Sequence, residues 1–314
     1  MSNEVIHATA EDTLASKGKS FHWARRLLGE KDSQRATRLY QFCRYIDDVV
    51  DEAESVDLSR KNLVEVRQAV VSGLGTNAVL VDGLNLIKEC GIDCSAVLDL
   101  VQGVGSDIEL VRIMDQDELL RYCYQVAGTV GLMMCKVLNS HDNNAIPYAI
   151  DLGIAMQLTN ICRDIKDDAL INRRYLPIHF INDMDIQDLI TPTGSKVKLI
   201  KKAVASLLAS ADKYYESGEC GLSYLPFRAR LSILVAARVY REIGKELEKQ
   251  DYEYWHRRII VRTPRKLLVT LTAVLSAVTS LRFWRHPAAH DSSLHKAIQG
   301  YYVSEPRSAQ IHEN

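Results

Sequence analysis

Along nearly the whole chain, apolar residues return every three or four positions, the period of a helix that buries one face. That rhythm predicts helices over residues 20–28, 33–52, 59–72, 79–89, 95–112, 116–137, 145–167, 196–217, 228–248 and 264–284. Breaks fall where glycine, proline and asparagine gather: GLGTN (73–77), NSHDNN (139–144), NRRYLPIHFINDMDI (172–186), TPTG (191–194) and SYLPF (223–227). None is long or biased enough to link two domains. The pattern reads as one all-α domain over residues 12–288, with a flexible N-terminus at 1–11 and a loose tail at 289–314, where periodicity fades.

Composition narrows the classes. A chain of 314 residues with formal net charge −1 has no basic footprint for nucleic acid, so none is expected as a partner. Its seven cysteines form no CxxC pair and read as small buried hydrophobes in a reducing compartment. The N-terminal residues lack an apolar signal core, which points to a cytoplasmic location. The longest uncharged run, LLVTLTAVLSAVTSL (267–281), is shorter than the ~20 residues that span a bilayer and reads as a packed core helix. Five cations precede it, Arg257, Arg258, Arg262, Arg265 and Lys266, as ligands for phosphate or anionic lipid, or as a solvated turn.

Two acidic segments depart from a solvated face. On a helix, Tyr40, Arg44, Asp47 and Asp51 fall within about 60° of one another, bordered by Leu39, Cys43, Ile46 and Val50. Carboxylates at the edge of a packed face need partners. Gln157, Asn160, Asp164 and Asp168 repeat the device beside Ile154, Leu158 and Ile161. An i,i+4 pair sets two carboxylates about 6 Å apart along the axis, a spacing that holds hard cations. Carboxylate, water and phosphate oxygens together suit Mg²⁺, so two such helices across a cavity would make a magnesium–diphosphate site. In YCYQVAGTVGLMM (122–134), Ala127, Gly128 and Gly131 cluster on one side of a helix. Glycine there costs roughly 1 kcal/mol against alanine, so either close helix packing or a smooth groove for a long apolar ligand must gain from it.

The segments KSFHWARRLL, LYQFCRYIDDVVDE, YCYQVAGTVG, QLTNICRDIKDDALINRRYLP and AARVY resemble the head-to-head prenyl synthases, which make squalene, dehydrosqualene and phytoene. The likeness runs from about Ser20 past Lys266 in order and approximate spacing, and WHRRIIVRTPRKLL and LRFWRHP look most like the bacterial phytoene synthases. One departure is Lys166-Asp167, where many relatives carry Gly-Glu; both turn away from the Asp164/Asp168 face.

The resemblance implies the isoprenoid synthase fold, a single helical domain around a central cavity. Asp47, Asp51, Asp164 and Asp168 would hold Mg²⁺, or Mn²⁺ as a substitute, on substrate diphosphates. Ser20 and Phe21 match a flap-side pair. Tyr40, Arg44, Gln157, Asn160, Arg163, Tyr240 and Arg258 match diphosphate-binding or cavity-lining positions, and Tyr124 a tyrosine near the reacting carbons. With the four aspartates, Tyr124 and Tyr240 make the catalytic set. The implied reaction joins two geranylgeranyl diphosphates into phytoene and releases diphosphate, the first committed step of carotenoid biosynthesis. Farnesyl diphosphate with a squalene or dehydrosqualene product is the alternative, as is a silent scaffold of the same fold. NADPH is not expected. An apolar C40 product must leave somewhere, so peripheral membrane contact through 267–281 is expected. Glu253/His256 and Glu4/His7 are poor partners for a di-iron centre, and the nine histidines show no convergence.

Overall fold

The computed structural model describes residues 11–15, 18–140, 142–287 and 289–301. The expected flexible N-terminus, apart from residue 11, and the tail beyond 301 lie outside the described residues. Helices carry the architecture: α1 (Lys19–Ala24), α2 (Glu30–Asp51), α3 (Val56–Ser72), α4 (Ala78–Cys90), α5 (Cys94–Gly105), α6 (Gln116–Cys123), α7 (Thr129–Val137), α8 (Ala145–Leu170), α9 (Ile178–Ile181), α10 (Ile186–Ile190), α11 (Ser195–Cys220), α12 (Phe227–Lys249), α13 (Thr263–Thr279) and α14 (Leu281–Trp284). Local chemistry sets their ends. Asn77 accepts from the Val79 and Leu80 amides to start α4, Asp115 accepts from Glu118 to start α6, and Gly73 and Gly91 end α3 and α4 with positive φ.

Helix α8 is the axis of the molecule. It packs along α11 and against α7 and α12, while α2 lies against α3, α4 and α7. Two apolar clusters form the core, one centred on α2, α5, α7 and α12, the other on α6, α8 and α11. The approach of α7 to α8 depends on missing side chains. A Cβ at Gly131 would lie 2.1 Å from the Ala149 carbonyl oxygen, and one at Gly153 would lie 2.2 Å from that of Ala127. Close packing is therefore one gain from the small residues.

Three predicted helices differ in detail. The 116–137 helix is continuous but contains a π-helical turn, Tyr124–Gly128, between α6 and α7. The 95–112 helix ends early: after Gly105 and a 3-10 turn at Ser106–Ile108, the chain extends. Arg112 and Arg174 form an isolated parallel bridge, with Arg174 N–H donating to the Val111 carbonyl at 3.1 Å. Buried Val111 and Ile113 flank Arg112, an alternation that belongs to extended chain. The 264–284 helix breaks at Ser280, whose backbone is extended (φ −82°, ψ 116°).

Residues 289–301, read as the start of a loose tail, are packed instead. Ser292–Ile298 form a 3-10 helix, Ile298 is 1% exposed, and the Tyr214 hydroxyl donates to the Leu294 carbonyl at 2.8 Å. The core reading of α13 holds for one face: Val269, Ala273 and Ala277 are buried, while Leu267, Leu271, Leu275 and Val278 are exposed. All seven cysteines are free thiols.

Candidate active site

A cavity of about 540 Å³ opens between the two core clusters, within the range of small-molecule sites. Its wall on α8 runs from Ala145 through Ala149, Leu152, Gly153, Met156, Gln157, Asn160 and Asp164 to Asp168. That is a stripe roughly 35 Å long at 1.5 Å per residue. Its beginning is apolar and its end acidic. Opposite, α2 supplies Ala36, Thr37, Tyr40, Cys43, Arg44, Asp47 and Asp51, with the same order of character. Val126, Ala127, Val130, Gly131 and Met134 add an apolar flank from the π turn and α7. The small residues thus serve the groove as well as the packing.

Electrostatics at the acidic end call for a cation. Burial pushes the Asp47 carboxyl up to about 7; Arg44 pulls it back, while Asp51 and Asp107 push it further. Burial likewise raises Asp168 to about 8, reinforced by Asp164 and opposed by Arg173. The buried Oδ1 of Asn160 has no hydrogen-bond partner, and neither has Nε of Arg44. Several carboxylates in mutual repulsion beside an orphaned amide oxygen suit a hard divalent ion, and an orphaned guanidinium N–H suits an anion. Arg163 forks onto Asp164, and Arg258 reaches the same carboxylate at 3.1 Å. The basic stretch before α13 divides its work: Arg258 faces the cavity, Arg265 pairs with buried Glu242 at 2.6 Å, and Arg257 donates to Gln250.

Of the residues singled out in the sequence, all four aspartates line the cavity, with Phe21, Tyr40, Arg44, Gln157, Asn160, Arg163, Tyr240 and Arg258. Phe21 sits between Tyr40 and Tyr240, with ring centroids 6.3 and 5.5 Å away. Ser20 and Tyr124 are not on the lining. Tyr124 is 1% exposed and donates to Asp99 at 3.1 Å, on the opposite side of the helix from Tyr122, about 200° around its axis. Tyr122 faces the cavity in its place.

Sequence reasoning missed a second polar set. Asp107 accepts from the Tyr122 hydroxyl at 2.9 Å and the Tyr175 hydroxyl at 2.7 Å, and burial raises its carboxyl to about 6. Arg173 donates to Asp51 at 2.9 Å and to the Asp107 carbonyl at 3.2 Å. The bridge between Arg112 and Arg174 brings these groups together, which no local spacing announces. NRRYLP did contain Arg173 and Tyr175 as a signal. Glu253 and His256 form a pair at 3.1 Å off this lining, so they build no di-iron site in it.

A family model described as squalene/phytoene synthase matches residues 14–265. The chain belongs to the squalene/phytoene synthase family. It is similar to the 15-cis-phytoene synthase of Pantoea ananas, 32% identical over 91% of this chain and 96% of that protein. The phytoene synthase of Pseudescherichia vulneris is 33% identical over 87% and 92% of the two chains. Among solved structures, a dehydrosqualene synthase in complex with ligand superposes with a TM-score of 0.77 at 24% identity, covering 87% of this chain and 97% of that one. A squalene synthase from Alicyclobacillus acidocaldarius superposes at 0.66 and 19% identity, covering 78% and 94%. These likenesses establish the isoprenoid synthase fold, and family membership makes the chain a prenyltransferase. Among the described residues, no helix is long and apolar enough to cross a membrane.

Proposed function

We propose that this enzyme condenses two geranylgeranyl diphosphates head to head to phytoene, through a cyclopropylcarbinyl diphosphate and without NADPH. The carrying observation is one cavity that joins two acidic helix faces to a long apolar stripe. The phytoene synthases similar to this chain over most of their length support the choice of product.

Asp47, Asp51, Asp164 and Asp168 would hold Mg²⁺, with Asn160 Oδ1 as a further oxygen, and the ion would neutralise diphosphate oxygens as charge develops on them. Arg44, Arg163, Arg173 and Arg258 bind the same oxygens, so the C–O bond of one substrate ionises. Gln157 and Tyr40 orient the two head groups. The double bond of the second substrate attacks the allyl cation, and loss of a proton from the former C1 of that cation to the released diphosphate closes a cyclopropane. A second ionisation, ring rearrangement and proton loss give the conjugated triene. Tyr240, or the departing diphosphate beside it, takes the proton. Val126, Ala127 and Val130 keep water from the cations.

Release of a C40 hydrocarbon favours a lipid surface. Leu267, Leu271, Leu275, Val278, Leu281 and Trp284 form an exposed apolar stripe over α13 and α14, flanked by Arg262 and Arg285. This face docks on the anionic cytoplasmic membrane. Co-sedimentation with anionic vesicles tests it: Leu271→Asp with Leu275→Asp should release the protein, and unchanged binding would rule the face out.

Purified protein incubated with geranylgeranyl diphosphate and Mg²⁺, without NADPH, should yield a hydrocarbon with the phytoene triene spectrum. Product from farnesyl diphosphate alone would replace the C20 reading with a C15 one. No product from either, with or without NADPH, would leave a silent scaffold.

A further inference from the structure

The histidines converge at one place that their sequence positions did not reveal. His290 and His295, from the segment after α14, meet Asp151 of α8 across 139 and 144 positions of chain. Asp151 is 0% exposed, and His290 and His295 are nearly buried with it. Each imidazole presents Nε2 to a different oxygen of the one carboxylate, at 2.7 Å in both cases. Ser217 of α11 adds its hydroxyl to Oδ2. Asp151 lies roughly 180° around α8 from Asn160 and is absent from the cavity lining, so this cluster is separate from the prenyl site.

We propose that Asp151, His290 and His295 form a structural site for a borderline divalent transition ion, Zn²⁺ in class. Three features carry the inference. First, two imidazole nitrogens and a carboxylate lie within 4.8 Å of one another, and among the described residues no other histidine, cysteine and acid group does this. Four-coordinate Zn²⁺ with bonds of about 2.0–2.1 Å needs donors roughly 3.3 Å apart, a small adjustment from this arrangement. Second, the ring centroids of His290 and His295 are only 4.5 Å apart. Two imidazoles side by side put both Nε2 atoms and the carboxylate within reach of one ion. Third, the donor set is mixed nitrogen and oxygen, which favours Zn²⁺ over Mg²⁺, and Ser217 or water completes it.

Coordination needs the lone pair of each Nε2, so the proton that each imidazole shares with Asp151 moves to its own Nδ1, each histidine binds as a neutral imidazole, and no redox change is involved. The ion staples the C-terminal segment to α8 and α11. The Tyr301 ring of that segment packs on Tyr124 at 5.9 Å, so the staple backs the π turn that forms one flank of the cavity.

The test uses untagged full-length protein in excess Mg²⁺, which occupies the aspartate faces. Elemental analysis should find one equivalent of Zn²⁺, and Co²⁺ put in its place should give the intense visible absorption of a four-coordinate ion. At a hundredfold excess over Kd, Zn²⁺ should raise Tm by on the order of 5 °C. His290→Gln and His295→Gln should each abolish the band and the Zn²⁺ shift, while Asp164→Asn keeps both. His290 is the less buried of the two histidines, so His290→Gln is the variant that best preserves folding. A wild-type protein without stoichiometric metal or band overturns the site. So does a band that survives in both histidine variants. Variants that melt earlier with no Zn²⁺ dependence in the parent would show a hydrogen-bonded latch only.

Discussion

Two carboxylates on one helix meet opposite fates. Asp151, near the start of α8, is 0% exposed, yet its carboxyl is held below the usual range: burial opposes its charge, but His290, His295 and Ser217 outweigh burial. Asp168, near the end, is less buried, yet its carboxyl rises to about 8. Burial alone would rank them the other way. The difference lies in company. Asp151 faces donors, whereas Asp168 faces Asp164 and Asp107 with only Arg173 in relief. One end of α8 is a satisfied structural joint. The other keeps its charges unsatisfied and so is prepared for a cation and an anion that arrive together.

The sharpest break of this comparison removes one carboxylate at each end. Asp168→Asn should lower turnover at least about a hundredfold while leaving the melting temperature unchanged or raised, because a repulsive neighbour is lost. Steady-state assays beside thermal melts check both halves. Asp151→Asn should do the reverse, costing about 3 kcal/mol of stability in a denaturant titration, because it strands two imidazoles that shared its charge. An unchanged midpoint would mean that the joint is not structural.

A position between the two ends should give an intermediate effect. Gly153→Ala sets a Cβ 2.2 Å from the Ala127 oxygen, so α8 must move from the π turn at a cost of about 2 kcal/mol, read in the same titration. The smallest effect is in pH. Asp47 and Asp168 titrate higher folded than unfolded, so the metal-free fold is favoured by their protonation below about 4 and loses that contribution as pH rises towards 7 and 8. Asp151 has the opposite sign: its contribution is present above about 4 and lost only in stronger acid. Mg²⁺ should therefore raise Tm by a few degrees more at pH 8 than at pH 6, and Asp168→Asn should flatten that difference.

Both acidic faces were legible because each is local. The i,i+4 spacing of Asp47 with Asp51 and of Asp164 with Asp168 survives any arrangement that keeps its helix. Ala127, Gly128 and Gly131 were legible as a site of small residues but not as a choice between packing and groove, since that depends on where α8 lies. Tyr124 was named by resemblance alone; it lies about 200° around the helix from Tyr122, and which of the two meets the cavity depends on how that helix is turned against its neighbours. Asp107, Arg173 and Tyr175 escaped because a bridge between extended segments joins them. The tail was misread because the burial of its 3-10 turn is contributed by α6 and α11, not by its own periodicity.

The long helices, the all-α class and the two carboxylate pairs follow from the sequence alone, because hydrophobic period and short-range spacing are properties of a helix before it packs. Which carboxylates face a cavity, which tyrosine lines it, and where two distant histidines meet Asp151 were decided only in the tertiary structure. Those outcomes depend on the relative placement of helices, and a free carboxylate differs from a satisfied one only in what the rest of the chain brings to within 3 Å.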